Sequence, residues 1–77
     1  MVIENWGKMK TEKSKIGRAY IWIRKSDGRK LEIHENTLLS NSWFVRGPEI
    51  SYEFSAKSSS QNMKKALALA KLYMEEY

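Results

Sequence analysis

Apolar and polar residues alternate along most of the chain up to Ser55, then recur every three to four positions from Ser58 onward. The first pattern is that of half-buried strands and the second that of an amphipathic helix. In "AYIWIRKSDGRKLEIH", residues 19–34, two alternating runs flank the turn "KSDGRK". A two-residue loop at Asp27-Gly28 would pair Trp22 with Ile33 and Arg24 with Leu31, mixing charge into the apolar side. A three-residue loop, Ser26-Asp27-Gly28, places Gly28 in the left-handed bulge position and pairs Lys25 with Arg29. Ile23 then faces Leu31, and Ile21 faces Ile33. A one-residue slip turns every side chain over, so this clean aliphatic set selects the three-residue loop. Tyr20, Trp22, Arg24, Lys30, Glu32 and His34 are thereby expected on the opposite face.

A second hairpin is expected from "NSWFV" and "EISYEFS". With Arg46-Gly47-Pro48-Glu49 as its loop, Val45 faces Ile50 and Trp43 faces Tyr52, while Phe44 points away with Arg46 and Ser51. Leu38 and Leu39, in the connection between the hairpins, are expected to cover a core edge. Within "SSSQNMKKALALAKLYMEEY", one of Ser58 to Ser60 caps a helix, with Gln61 as a capping-box partner of Ser58. Met63, Ala66, Leu67, Ala70, Tyr73, Met74 and Tyr77 share one arc, extended by Leu69, whereas Leu72 falls on the polar side. The expected fold is therefore α+β: a small antiparallel sheet of three to five strands, built from two hairpins, with one C-terminal helix packed on one face. Residues 19–77 form a single β-β-β-β-α domain. Residues 1–18 form a basic N-terminal segment, an extra strand or an arm: "VIENW" suits an extra strand, and the alternating Lys of "GKMKTEKSKIG" suits either an edge strand protected against aggregation or an anion-binding arm.

Seventy-seven residues make one small core, and the absence of Cys removes disulfides and thiolate metal sites as supplements. No run is long and apolar enough for a signal peptide or a membrane span, which leads us to expect an intracellular, cytoplasmic protein with no membrane partner. The net charge of +5 is uneven. In residues 1–18, Lys8, Lys10, Lys13, Lys15 and Arg18 against Glu4 and Glu12 leave +3, and residues 19–46 leave +2; residues 47–77 balance. Such a field suits polyanions or an acidic protein surface.

A single helix covers one face, so Tyr20, Trp22, Arg24, Lys30, Phe44 and Arg46 are expected on the open one, beside the basic residues Lys8, Lys10, Lys13, Lys15 and Arg18. Rings interleaved with cations form a stacking platform for nucleobases, with the cations on phosphates. The expected function is a non-enzymatic nucleic-acid-binding module, single- or double-stranded. The alternative is a protein-interaction module, a small inhibitor or accessory factor of viral or mobile-element type. Two copies could also pair through the sheet face or through Leu72. Catalysis has little support: His34 is the only His, the four glycines form no phosphate loop, and no cofactor or metal site is expected.

The sheet-then-helix order resembles the single-stranded-DNA-binding domains of transcriptional coactivators and the arm-binding domains of phage integrases. "QNMKKALALA" resembles the last helix of double-stranded-RNA-binding domains, although that family's N-terminal helix and its paired Lys at the start of the final helix are absent. None of these shares a motif with the chain, so no functional residue is carried over.

Overall fold

The computed structural model describes residues 2–15, 17–36, 42–55 and 58–77, without the side chains of Val2, Ile3 and Ser59. A short 3-10 helix, Val2–Asn5, precedes β1 (Lys10–Ser14), β2 (Gly17–Ile23), β3 (Lys30–Asn36), β4 (Ser42–Arg46), β5 (Ser51–Phe54) and α1 (Ser59–Glu76). The strands pair antiparallel in chain order. This is the expected α+β architecture, at five strands. The N-terminal segment contributes the edge strand that its alternating lysines suit, Lys10–Ser14, whereas "VIENW" makes no strand but the 3-10 helix and a single bridge from Trp6 to Arg24. Leu38 and Leu39 lie outside the described residues.

The helix forms where its capping chemistry and spacing say it should. Ser58 is the N-cap, its Oγ accepting from Gln61 N at 3.4 Å. Ala66 and Ala70 are fully buried with Tyr73 and Met74. Two alanines let the helix backbone approach a sheet that supplies the volume itself through Trp43, Leu31, Ile33 and Val45, all fully buried. Asn62 is buried in the same interface. Leu72 is exposed, as its place on the polar side of the helix requires.

The first hairpin differs from expectation by one residue. Its loop has four residues, Lys25–Gly28, closed by Arg24 N donating to Arg29 O (2.7 Å) and Gly28 N to Arg24 O (2.8 Å). Trp22 therefore faces Leu31 and Tyr20 faces Ile33, while Ile21 pairs with Glu32 and Ile23 with Lys30. Every β2 side chain is turned over relative to the three-residue loop. Tyr20 and Trp22 pack against the core on the helix side, with Tyr20 stacked on Trp43 at 6.2 Å. Ile21 and Ile23 go to the open face. There Ile21 is only 6% exposed, between Lys10 of β1 and Glu32 of β3. Two rings bury more apolar area than two isoleucines, and the long stems of flanking Lys and Glu shield the aliphatic side chain left behind.

The second hairpin keeps its expected faces with a shifted pairing. Its loop is Gly47–Ile50, closed by Gly47 N to Ile50 O at 2.8 Å, so Arg46 faces Ser51, Val45 faces Tyr52 and Trp43 faces Phe54. Phe44 and Arg46 remain on the open side.

The helix lies against β3, β4, β5 and the 3-10 helix but, among the described residues, not against β1 or β2. The β1–β2 hairpin is thus a wing beyond the helix, and all of β1 is exposed. Two glycines take the left-handed backbone that shapes the hairpins, Gly17 at φ +137° and Gly28 at φ +73°. A Cβ on Gly17 would lie 2.4 Å from Glu35 O, whereas one on Gly28 would meet nothing within 4 Å. Gly17→Ala is expected to cost roughly 3 kcal/mol through backbone strain and displacement of β3. Gly28→Ala is expected to cost about 1 kcal/mol, from the backbone alone. Urea unfolding of the two variants checks the difference; equal losses would refute it.

Candidate functional site

The register divides the residues that sequence reasoning placed together. Lys10, Lys30, Phe44 and Arg46 are on the open face, as expected for the last three. Lys13, Arg18, Tyr20, Trp22 and Arg24 are on the helix side. Lys8 and Lys15 flank β1 and are exposed. The expected platform of Tyr20, Trp22 and Arg24 on the open face does not exist. On that face Lys10, Lys30 and Arg46 are matched by Glu12, Glu32 and Glu53, and His34 Nε2 lies 3.6 Å from Glu32 Oε2. Its strand positions are electrically balanced.

Arg24 is the plainest correction. It is 7% exposed, and its guanidinium is held by two carboxylates. Nε and Nη2 donate to Asp27 Oδ1 (3.1 Å) and Oδ2 (2.6 Å), and Nη1 and Nη2 donate to Glu49 Oε1 (3.0 Å) and Oε2 (3.1 Å). The same group lies 5.6 Å from the centre of the Trp6 ring, which meets Tyr73 edge-on. Tyr73 Oη donates to Glu49 Oε1, and Glu49 N donates to Tyr73 Oη at 3.3 Å. One cation therefore ties both hairpin loops to the helix. Sequence reasoning missed this cluster because Asp27 was read only as a turn residue. The available signal was a basic residue three positions before that Asp, since a bidentate Arg–carboxylate pair is strong and directional. Trp6 Nε1 is buried without an acceptor, a cost set against its two ring contacts.

A run of exposed cations lies elsewhere. Lys8, Lys10, Lys13 and Lys15 are exposed on or beside β1, and Arg18, the second residue of β2, faces Lys13. Arg18 Nε lies 3.4 Å from Glu35 Oε1, and its guanidinium sits 5.8 Å from the Trp43 ring centre. At the tip of this hairpin, a hollow of about 270 Å³ is lined by Arg18, Ala19, His34, Phe44 and Arg46, among others. A second, of about 210 Å³, shares Ser14, Gly17, Ala19 and His34 with it and reaches Lys13. Two residues singled out from sequence, Phe44 and Arg46, share this hollow on the open face; Arg18 borders it, with its guanidinium turned to Glu35 and Trp43 on the helix side. The larger hollow falls short of the ~300 Å³ typical of small-molecule sites, so it suits one ring system better than a whole cofactor.

Among the described residues, no group of three or more His, Asp or Glu could hold a metal ion, and no helix is long and apolar enough to cross a membrane. Comparison with protein-family models, curated proteins and solved structures finds no match.

The Arg24 cluster gives stability an acid and an alkaline dependence. Hydrogen bonds from Arg24, then from Arg29 N, hold the Asp27 carboxyl down to about 2, and Arg24 followed by Tyr73 lowers Glu49. Both carboxyls ionise more readily folded than unfolded: the contribution of Asp27 is present above pH 3.8 and is lost as pH falls toward 2, and that of Glu49 is present above pH 4.5 and is lost on further acidification. Burial, then the hydrogen bond to Glu49, pushes the Tyr73 hydroxyl up to about 12, so its contribution is lost as pH rises from 10.0 toward 12. Asp27→Asn is expected to flatten the acid limb of the urea midpoint plotted against pH, and Tyr73→Phe to flatten the alkaline limb. Arg24→Lys is expected to lower the midpoint at pH 7 because an ammonium cannot reproduce two bidentate pairs.

Proposed function

We propose that the chain is a non-enzymatic nucleic-acid-binding module that holds a single strand along the β1–β2 hairpin. The observation that carries this reading is the hollow lined by Phe44 and Arg46 on the open face, at the tip of a hairpin that bears the exposed Lys10, Lys13 and Lys15. Phosphates would be met by Lys10, Lys13, Lys15 and Arg18, and one base would stack on Phe44 with Arg46 at its edge. Stacking of a base on an aromatic ring contributes about 1–3 kcal/mol and tolerates any base. Tyr20 and Trp22, which sequence reasoning assigned to this role, instead stiffen the strand that carries the cations. Their contacts with the core fix the direction in which β2 extends beyond the helix.

A second reading, a protein-interaction module, is favoured by one specific feature. Leu72 and Tyr77 are exposed beside partly buried Leu69 and Ile50, away from the basic wing.

Fluorescence anisotropy with a labelled single-stranded oligonucleotide and its duplex, in a salt series, tests the leading reading. Four phosphate contacts predict a log–log slope of about −3 for the single strand. Lys13→Glu with Lys15→Glu is expected to reduce that slope, and Phe44→Ala to weaken binding about tenfold without changing it. No binding near 50 mM salt, where phosphate contacts are strongest, would overturn the reading.

A further inference from the structure

The end of α1 lies beside the β4–β5 loop, leaving a groove of about 490 Å³ between them. Its apolar lining comes from Ile50, Leu69, Leu72 and Tyr77, and Glu75 and Glu76 stand at its rim. Leu72 is 62% exposed and Tyr77 45%. The remaining lining residues, Glu49 and Tyr73, already belong to the Arg24 cluster and form a fixed wall.

Two features make the groove a receptor for positive charge. Its rim carboxylates are exposed, and no ion pair to either occurs among the described residues. They also sit in the last turn of a helix that has no basic residue there, where the negative end of the helix dipole adds to their charge. Glu75 and Glu76 therefore add to the negative charge of the adjacent carbonyls; Lys71, one turn before Glu75, offsets part of it without an ion pair among the described residues, and an incoming cation relieves the rest. The groove is an acidic place on a chain of net charge +5. A two-fold contact between copies would set the four rim carboxylates against one another, so the occupant cannot be the same surface of a second copy.

We propose that this groove docks a segment of a partner protein in which an apolar side chain is flanked by Lys or Arg. The apolar side chain covers Leu72 and Leu69, and the cations bridge Glu75, Glu76 and the last carbonyls of α1. The site is distinct from the polyanion surface on the β1–β2 wing, and either can fail without the other.

The probe is a synthetic peptide of alternating Leu and Lys, with a Leu–Glu peptide of equal length as counterpart, titrated into the whole chain labelled with nitrogen-15. The Lys peptide is expected to shift the backbone amides of Leu69, Leu72 and Tyr77 and to leave those of β1 and β2 in place. Glu75→Lys combined with Glu76→Lys, and separately Leu72→Asp, are expected to weaken that binding about tenfold. Lys13→Glu with Lys15→Glu is expected to leave it unchanged. All of these positions are exposed, and the spread of the amide spectrum reports whether each variant keeps its fold. Equal binding of the Glu peptide, shifts confined to the wing or the open face, or no shift with the wild-type chain would each overturn the proposal. So would self-association in sedimentation that Leu72→Asp abolishes, which would place a second copy's basic edge in the groove.

Discussion

The architecture depends on where one guanidinium is satisfied. Arg24 follows β2 on the helix side of the sheet, and almost none of it reaches water. A buried guanidinium is tolerated only when its donors are met with good geometry. Asp27 meets them from the same loop, and Glu49 from the loop across the sheet. Through Tyr73 the arrangement extends to α1, and through Trp6 to the segment ahead of β1. Satisfying Arg24 in this way fixes the length of the first loop. The loop fixes the parity of β2, and parity decides that Tyr20 and Trp22 rather than Ile21 and Ile23 look toward the helix.

That parity also divides the molecule electrically. The cations of residues 1–18 stay in solvent because β1 and the start of β2 project past the helix, whereas Glu49, Glu75 and Glu76 border the groove beside the β4–β5 loop. A chain of modest net charge thus presents a basic wing and a separate acidic groove. The strand positions of the open face, with cations and carboxylates interleaved, lie between these extremes and contribute no field of their own.

Much of this was legible in the residues themselves. Periodicity located the helix, the run Ser58 to Ser60 its cap, and the alternation of Trp43, Val45 and Phe54 the packed face of the second hairpin, on which Tyr52 stays exposed. Those features depend on local spacing, which a sequence displays directly. The faces of β2 were not legible, because the apolar set formed by Ile21 and Ile23 and the one formed by Tyr20 and Trp22 are both self-consistent. Between them decides a contact with Glu49, twenty-five positions away from Arg24. The N-terminal segment was legible only in part. The alternating lysines of Lys10–Ser14 suit an edge strand and an arm equally, because no apolar alternation accompanies them; backbone pairing with β2 makes them a strand, and charge protects its free edge. The ring of Trp6 is claimed by Arg24 and Tyr73, partners too distant along the chain to leave a local trace.

The sheet is a meander, each strand pairing with the next, so every hairpin closes a short stretch of chain at small entropic cost. A few bonds span the whole length. Asn5 Nδ2 donates to Tyr77 O at 3.3 Å, across seventy-two positions, and Trp6 reaches Tyr73 nearby. These distant ties reward the chain only after the strands have zipped and the helix has docked. They act as a latch: they do little to hasten folding, and they hold the segment ahead of β1 against the last turn of α1 once the globule has formed.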